Sequence, residues 1–376
     1  MNKLFKIWIL LILLLSLLVV TNCKKEQNVI GIGIALSLTG DGADYGKRSL
    51  NGIEWAAEKI NSQGGINGTP IELIVEDTKS SPRDAVSAIN KLIIVDKVQI
   101  IIGDIISGTT LAMAPIAEKN SVTLLAPGAS NPKMTNAGDF IFRNWTSDDF
   151  DGKAIANYAF NNGVRSFGVI VQKTEYTFGL ADAFVAELER LGGVVNIREE
   201  FDTGATNLRA QLSKIASHKV EAVYISAYSE GTGYTLKQAT EIGFNPKWFS
   251  SLTVDTEVCK EIAGSLRNGV IFSTPAFDPG DTSRVIRDFV EGFKEKFNDE
   301  PETSSGHGYD ALRILADVIR RVGADPLKVR DELYGISNFP GVTGITTFDN
   351  NGDVLKSIFI KSFEDNQPVV LESFNF

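Results

Sequence analysis

The sequence predicts an α/β protein of two doubly wound, Rossmann-like lobes joined by a multi-strand hinge, and three observations carry that expectation. Strand-like and helix-like patterns alternate along most of the 376 residues, as they do in the βαβ units of parallel sheets. The patterns fall into two arrays of similar size. No low-complexity linker separates the arrays, and the pattern runs on beyond the second, so several crossings between lobes are expected rather than one tether.

The first array opens with a β-branched strand over 29–36 and a helix over 45–61, where Leu50, Ile53, Ala57 and Ile60 fall on one face. A strand over 71–76 follows, and Ser81-Pro82 opens a helix through Val95. Apolar runs over 98–102 and 122–125 read as buried parallel strands on either side of a helix over 109–119, and 140–145 closes the set. The second array reads as helix 148–161, strand 167–171, helix 178–191 and strand 194–200. It continues with helix 208–217, strand 222–227, helix 233–242, strand 248–252 and helix 255–263. Beyond it come a strand over 270–274 and helices over 283–297, 309–322 and 327–333. The segments 344–349 and 357–363, separated by the turn Asn350-Asn351-Gly352-Asp353, read as a hairpin-like ending, with a last strand over 368–371. The expected first lobe is 29–147 plus about 277–345, and the second is 148–276 plus about 346–376.

Two loops stand out as candidate binding elements. Ser107-Gly108-Thr109-Thr110 and Ala126-Pro127-Gly128-Ala129-Ser130 each follow a strand-like run. Open α/β sheets bind ligands at the carboxyl ends of their strands, where helices begin and free N–H groups face the crevice. Hydroxyls and amides at two neighbouring strand ends would hold a small anion such as a carboxylate. For either loop alone, an ordinary helix cap or an ordinary turn is the preferred account.

The first residues address the chain. Lys3 and Lys6 precede an apolar stretch over 7–20, which meets Thr21-Asn22-Cys23. This reads as a secretory signal over 1–22, too short for a stable membrane span. Residues 23–28 then form a polar tether. Removing the signal takes the formal charge from −10 to −12, which speaks against a nucleic-acid partner. Cys259 lies on a helical stretch and reads as a packed small hydrophobe.

Nothing points to catalysis, a metal or a cofactor. The two histidines, His218 and His307, are 89 positions apart, and no His-Glu-x-x-His, Cys-x-x-Cys, Gly-x-Ser-x-Gly or phosphate-cradling loop occurs. Gly31-Ile32-Gly33 lies inside a strand rather than after one. Asp148, Asp149 and Asp151 head a helix, where acidic side chains complement the dipole, and they read as solvated helix-start residues.

In this arrangement the chain resembles the solute-binding lipoproteins of ABC importers in the branched-chain amino acid (leucine/isoleucine/valine-binding) family, which have the type I periplasmic binding protein fold. The resemblance rests on Leu38-Thr39-Gly40 with Tyr45-Gly46, on the run from Asn61 through Gly64-Gly65-Ile66 to Gly68, and on Ile102-Gly103 before the Ser107 loop. It extends through Ala126 to Pro132, Tyr176-Thr177-Phe178-Gly179 and Gly308-Tyr309-Asp310-Ala311. The segment ending in Cys23 is similar to a lipobox, with Asn22 departing from the usual small residue. The resemblance implies a lipid anchor on Cys23, a periplasmic or cell-envelope location, inner-membrane permease partners, a monomer, and a small carboxylate-bearing solute held by hinge closure.

Carried over residue by residue, the resemblance implies that Ser107 and Ser130, with the neighbouring Gly108, Thr109 and Ala129, hold the ligand carboxylate, and that Ser130 contacts the ammonium as well. The Gly128 carbonyl would accept from its ammonium, Tyr45 would form an aromatic wall, and Tyr176 and Tyr228 would face the cleft from the second lobe. For each tyrosine, core packing is the rival reading. Thr253 stands where the family places an acid to pair the ammonium, with Asp255 two positions on, where a helix cap is the alternative. That departure leaves two ligand classes open: aliphatic amino acids, and aromatic or aliphatic carboxylic acids or amides without an ammonium. Trp145 and Phe150 are further candidates to fill the cleft. Ser80 and Ile106 occupy the approximate positions of the family's first-lobe disulfide. A ligand-binding sensor of the same fold is the alternative to transport.

Overall fold

A computed structural model describes residues 28–375; the expected signal, tether and Cys23 lie outside the described residues apart from Asn28. The first half runs β1 (Ile30–Leu36), α1 (Ala43–Ser62), β2 (Ile71–Asp77), α2 (Pro82–Asn90), β3 (Ile100–Gly103), α3 (Ser107–Lys119), β4 (Thr123–Ala126) and β5 (Ile141–Arg143). The second half runs α4 (Asp148–Asn161), β6 (Ser166–Gln172), α5 (Glu175–Arg190), β7 (Val194–Phe201), α6 (Arg209–Ser217), β8 (Ala222–Ser226), α7 (Ser229–Glu241), β9 (Lys247–Ser251), α8 (Glu257–Ala263) and β10 (Ile271–Pro275). The chain ends with α9 (Arg284–Phe297), α10 (Thr303–Val322), α11 (Pro326–Tyr334), β11 (Phe339–Gly341), β12 (Gly344–Thr346), β13 (Ile358–Glu364) and β14 (Gln367–Phe374).

The strands build two main sheets. One is parallel throughout, in the order β2-β1-β3-β4-β5; the other is β14-β13-β10-β9-β8-β6-β7, parallel from β10 to β7 with β13 and β14 added antiparallel. Both are covered on both faces, as parallel sheets must be. In the first lobe, Ile53, Ala56 and Ala57 of α1 share one core with Phe289, Leu312 and Val329 of the late helices. Ala85 and Ile89 of α2 and Met113 and Ala117 of α3 fill the other face. The second sheet lies between α4 with α5 on one side and α6, α7 and α8 on the other. Each sheet therefore reverses its winding beside its first strand, opening a crevice at the strands' carboxyl ends.

Helix α10 closes the first core by crossing α1 at backbone distance. A Cβ on Gly52 would stand 2.0 Å from the Ser305 carbonyl oxygen, and one on Gly308 would stand 2.3 Å from that of Ser49. Only glycine permits this crossing.

The hairpin expected across the 350–353 turn does not form as such. β12 pairs with β11 instead, and β13 completes the second sheet between β10 and β14. A single bridge, Phe348 to Val354, spans the turn. The reason is Asp310 on α10, whose carboxylate accepts from the N–H groups of Val342 and Thr343 and from the Thr343 hydroxyl at 2.7–2.9 Å, seating β11 and β12 on the helix. Ile358 and Ile360, both fully buried, hold β13 in the sheet. The helix expected through Val95 ends its last turn as a π-helix over Lys91–Val95.

The crossings between lobes are cross-linked. Arg143, 1% exposed, donates to both Asp353 oxygens at 2.6 and 2.8 Å, to the carbonyls of Ser130 and Asn131 at 3.0 Å, and to Thr135. Nearby, the buried Lys356 ammonium donates to Asn144 at 2.8 Å and to Thr343 at 2.7 Å. Removing one partner of a buried ion pair strands the other, at a cost of about 3–5 kcal/mol. Arg143→Met is expected to lower unfolding stability by about 3 kcal/mol on that ground, measured as a shift of the urea midpoint at unchanged slope.

Candidate functional site

One pocket gathers residues that follow the carboxyl ends of strands from both sheets. Ile105 follows β3, Gly128, Ala129 and Ser130 follow β4, and Trp145 follows β5. From the second lobe, Tyr176 follows β6, Tyr228 follows β8, and Leu252 and Thr253 follow β9. The first turns of α1, α4 and α10 add Tyr45, Asp148, Asp151 and Ser304. The lobes touch around it. The Tyr45 hydroxyl bonds that of Ser229, Asn131 donates to the Glu175 carbonyl, and Lys133 pairs with the Glu175 carboxylate at 2.7 Å. The cleft is closed.

The first-lobe wall is made by stitching the two predicted loops together. The Ala129 N–H donates to the Ile105 carbonyl at 3.0 Å, and the Asn131 N–H donates to the Ser107 hydroxyl at 3.2 Å. A Cβ on Gly128 would lie 2.4 Å from the Ile105 side chain, so only glycine lets the loops meet. Ala129 takes the left-handed conformation, φ 60°, to turn the chain toward the pocket. Helix α3 begins here without a side-chain cap, so its first N–H groups are left for a ligand or water.

Of the sequence-predicted residues, Tyr45, Gly128, Ala129, Ser130, Tyr176, Tyr228 and Thr253 line the pocket, and Ser107, Gly108 and Thr109 do not. The Ser107 hydroxyl is engaged with the Asn131 N–H, and a Cβ on Gly108 would meet Glu175 across the cleft at 3.8 Å. The Thr109 hydroxyl donates to Asp104 at 2.8 Å. These three support the wall from behind. Phe150 packs against the core of the second lobe instead of entering the cleft, whereas Trp145 lines it and packs against the tilted ring of His307, centroids 4.3 Å apart.

The tyrosines form a continuous aromatic wall. Ring centroids lie 6.2 Å apart for Tyr45 and Tyr228 and 5.5 Å apart for Tyr176 and Tyr228, distances at which tilted rings attract. Their hydroxyls are placed: Tyr176 bonds Ser251 at 3.1 Å. Burial holds the Tyr45, Tyr176 and Tyr228 phenols well above their ordinary range, so they remain neutral.

The acids are where the sequence reading is corrected. Asp148 and Asp151 are not solvated helix-start residues: they are 1% and 6% exposed, line the pocket, and each keeps one oxygen with no partner among the described residues. Only Asp149 of the three is exposed. Asp255 neither lines this pocket nor caps its helix. Thr256 caps α8 by accepting from the Cys259 N–H at 3.2 Å, and Asp255 lines an adjoining cavity with Glu302 and Lys361. Thr253 is 1% exposed and bonds Thr232 at 3.1 Å and Ser251 at 3.3 Å, a neutral surface on this side. No lysine, arginine or histidine is among the lining residues.

A signal for the buried acids exists in the sequence. Asp148, Asp151, Gly152, Ile155 and Ala159 recur at helical spacing and are all buried, so the acids lie on the packed face of α4. Gly152 marks that face, since a Cβ there would be 2.6 Å from the Phe184 nitrogen of α5.

Two doubly wound lobes closed over a pocket that is lined from both define a solute-binding protein. The model of the family described as periplasmic binding protein matches residues 29–366. Among curated proteins, the chain is 30% identical over 325 residues to Leu/Ile/Val-binding protein homolog 1 of Brucella abortus, covering 86% of each. It is 31% identical over 337 residues to an amino acid binding protein of Pseudomonas aeruginosa, covering 88% of each. Among solved structures it resembles the leucine binding protein LivK of Thermotoga maritima, with TM-score 0.87, 32% identity, and 92% of this chain and 99% of that one covered. A solute binding protein of R. palustris in complex with benzoate shares the fold at TM-score 0.84, with 19% identity and 92% and 96% of the chains covered. The chain belongs to the periplasmic binding protein family, with the type I fold of these neighbours.

The buried acids set a pH dependence. Burial raises the Asp151 carboxyl to about 6, opposed by the nearby Ser273 hydroxyl, and pushes Asp148 well upward, with the charge of Asp151 adding to the rise. A carboxyl that binds its proton more tightly in the folded state favours folding below the ordinary carboxylate range. That contribution is lost as pH rises through about 6. In the ligand-free protein, Asp151→Asn is expected to add about 1–3 kcal/mol of stability at pH 8 and little at pH 4.5, measured by urea unfolding at the two pH values.

Proposed function

We propose that the chain is the extracytoplasmic receptor of an ABC importer, anchored through lipid on Cys23, and that it closes over a small α-amino acid for delivery to inner-membrane permease subunits. One observation carries the choice of ligand: two aspartates with unpaired oxygens line the same pocket as Gly128, Ala129 and Ser130 of the first-lobe loop. The carboxylate fits the loop around Ser130, whose neutral groups hold an anion without burying an opposite charge. The ammonium fits the Asp148 carboxylate, and the Asp148 N–H donates to the Ser130 carbonyl at 2.8 Å. That bond holds the aspartate beside the clamp. Ile105, Leu252 and the aromatic wall cover the remaining, apolar part of the solute.

The names of similar proteins support this reading, since several are Leu/Ile/Val-binding proteins and the solved LivJ of Streptococcus pneumoniae is in complex with isoleucine. The lining residues come from both lobes, so a solute that touches all of them favours the closed state and drives hinge closure. The protein works as a monomer. A carboxylic acid without an amine would leave both aspartates unsatisfied, a costly burial.

Calorimetry with a panel of α-amino acids, each set against its deaminated carboxylic acid, tests the proposal. At least one amino acid is expected to bind at about micromolar strength or tighter and its deaminated partner at least about 100-fold more weakly, a gap of roughly 2.7 kcal/mol. Tighter binding of the deaminated acids would sink the amino-acid reading. Ser107→Ala combined with Ser130→Ala is expected to weaken binding by a similar factor with an unchanged circular dichroism spectrum; unchanged affinity would remove the clamp from the first lobe.

A further inference from the structure

The second-lobe side of the pocket holds more acceptor capacity than an α-ammonium uses. Asp148 and Asp151 are three residues apart on the first turn of α4 and share a face. Both reach the same pocket, and each leaves an oxygen unpaired among the described residues. Behind them, the fully buried Tyr224 and Ser273 also carry hydroxyls without a partner among the described residues. Ser273 stands beside Asp151, and Tyr224 lies within electrostatic reach of both acids.

The charges around this corner do not balance within the protein. Arg143 is the cation that acts on Asp148, and its guanidinium is already bonded to Asp353 and two carbonyls. Lys356 is bonded to Asn144 and Thr343, and His307, behind Trp145, is held neutral by burial and by Lys356. The exposed Asp149 adds a further negative charge on the same turn. On the opposite lobe the buried Asp104 is satisfied by hydroxyls and backbone rather than by a cation.

We propose that Asp151 is a specificity-determining residue, and that with Tyr224 and Ser273 it receives a second cationic group, making the preferred solute a short diamino acid. This rests on the amino-acid reading above. A zwitterion brings one ammonium to two acids, and its own carboxylate is taken by neutral donors, so the second buried acid either keeps its proton or stays without a counter-charge. A second ammonium supplies that counter-charge, and its three donors match the carboxylate oxygen and hydroxyls behind it. The side chain must be short, because Tyr45, Trp145, Tyr176 and Tyr228 enclose the pocket.

The test is calorimetry at neutral pH with 2,4-diaminobutyrate and ornithine against their neutral counterparts 2-aminobutyrate and norvaline, on the wild type and on Asp151→Asn. The wild type is expected to bind at least one diamino acid tenfold or more tightly than its neutral counterpart, and Asp151→Asn to abolish or reverse that preference. Equal or tighter binding of the neutral pair by the wild type overturns this inference, and leaves the amino-acid reading standing. So does a diamino preference that survives Asp151→Asn. Binding of none of the four, together with binding of butyrate or pentanoate, overturns both. The wild-type comparison alone decides the matter if the variant does not fold.

Discussion

The first-lobe half of the site depends on one buried carboxylate. Asp104, just after β3, accepts from the Ser37 N–H and hydroxyl, the Thr78 hydroxyl, the Thr109 hydroxyl and the Ile105 N–H, at 2.6–3.1 Å. Ser37 follows β1 and Thr78 follows β2, so a single side chain ties together the ends of three neighbouring strands and the start of α3. Burial pushes its carboxyl upward, and the Thr78, Ser37 and Thr109 hydroxyls oppose that shift. Charge-assisted bonds of this kind are roughly twice as strong as neutral ones. The knot fixes where Ile105 sits, Ile105 fixes Ala129 through a backbone bond, and Ala129 fixes Ser130. Thr109 therefore supports the pocket wall from behind, by holding Asp104.

The hinge repeats the same principle with cations. Arg143 holds the carbonyls of the Ser130 loop from one side and Asp353 of a later crossing from the other. Lys356 joins that later crossing to Asn144 of the first. Burial lowers the Lys356 ammonium to about 8, so its charge is retained at neutral pH with little margin. The two crossings also share the bridge between Thr146 and Val354. Trp145 lies between these anchors and packs against His307, which joins the pocket wall to the hinge.

Much of the fold was legible because alternation and strand composition report burial on both faces of a sheet. The helix bounds 148–161 match α4 residue for residue. The hairpin failed for a reason that no local pattern contains: Asp310, more than thirty residues earlier, claims the turn between β11 and β12. The site was legible where it is made of strand-end loops, since those loops must be short, glycine-bearing and polar. It was illegible where the same local sequence fits two tertiary outcomes. Aspartates in a first helical turn look alike whether solvent or a pocket covers them, and only the spacing of Gly152, Ile155 and Ala159 distinguishes the two. Ser107 shows the converse, a hydroxyl at the expected place that turns inward to its neighbouring loop.

The neutral Thr253 and the acidic face of α4 belong to one electrostatic arrangement. An acid on the turn after β9 would have to be buried among Thr232, Ser251 and Leu252, with no helix start to favour its charge. Asp148 and Asp151 instead sit where the partial positive charge of a fourteen-residue helix begins, and that field offsets part of the burial penalty for a charged acid. The start of α3 lies behind the opposite wall, where Asp104 accepts from the Thr109 hydroxyl of its first turn. Both helix starts carry buried acids, but Asp104 is satisfied by hydroxyls and backbone, whereas Asp148 and Asp151 each keep an oxygen unpaired among the described residues. That asymmetry places the pocket's unpaired carboxylate oxygens on α4, away from the neutral surface of Thr253.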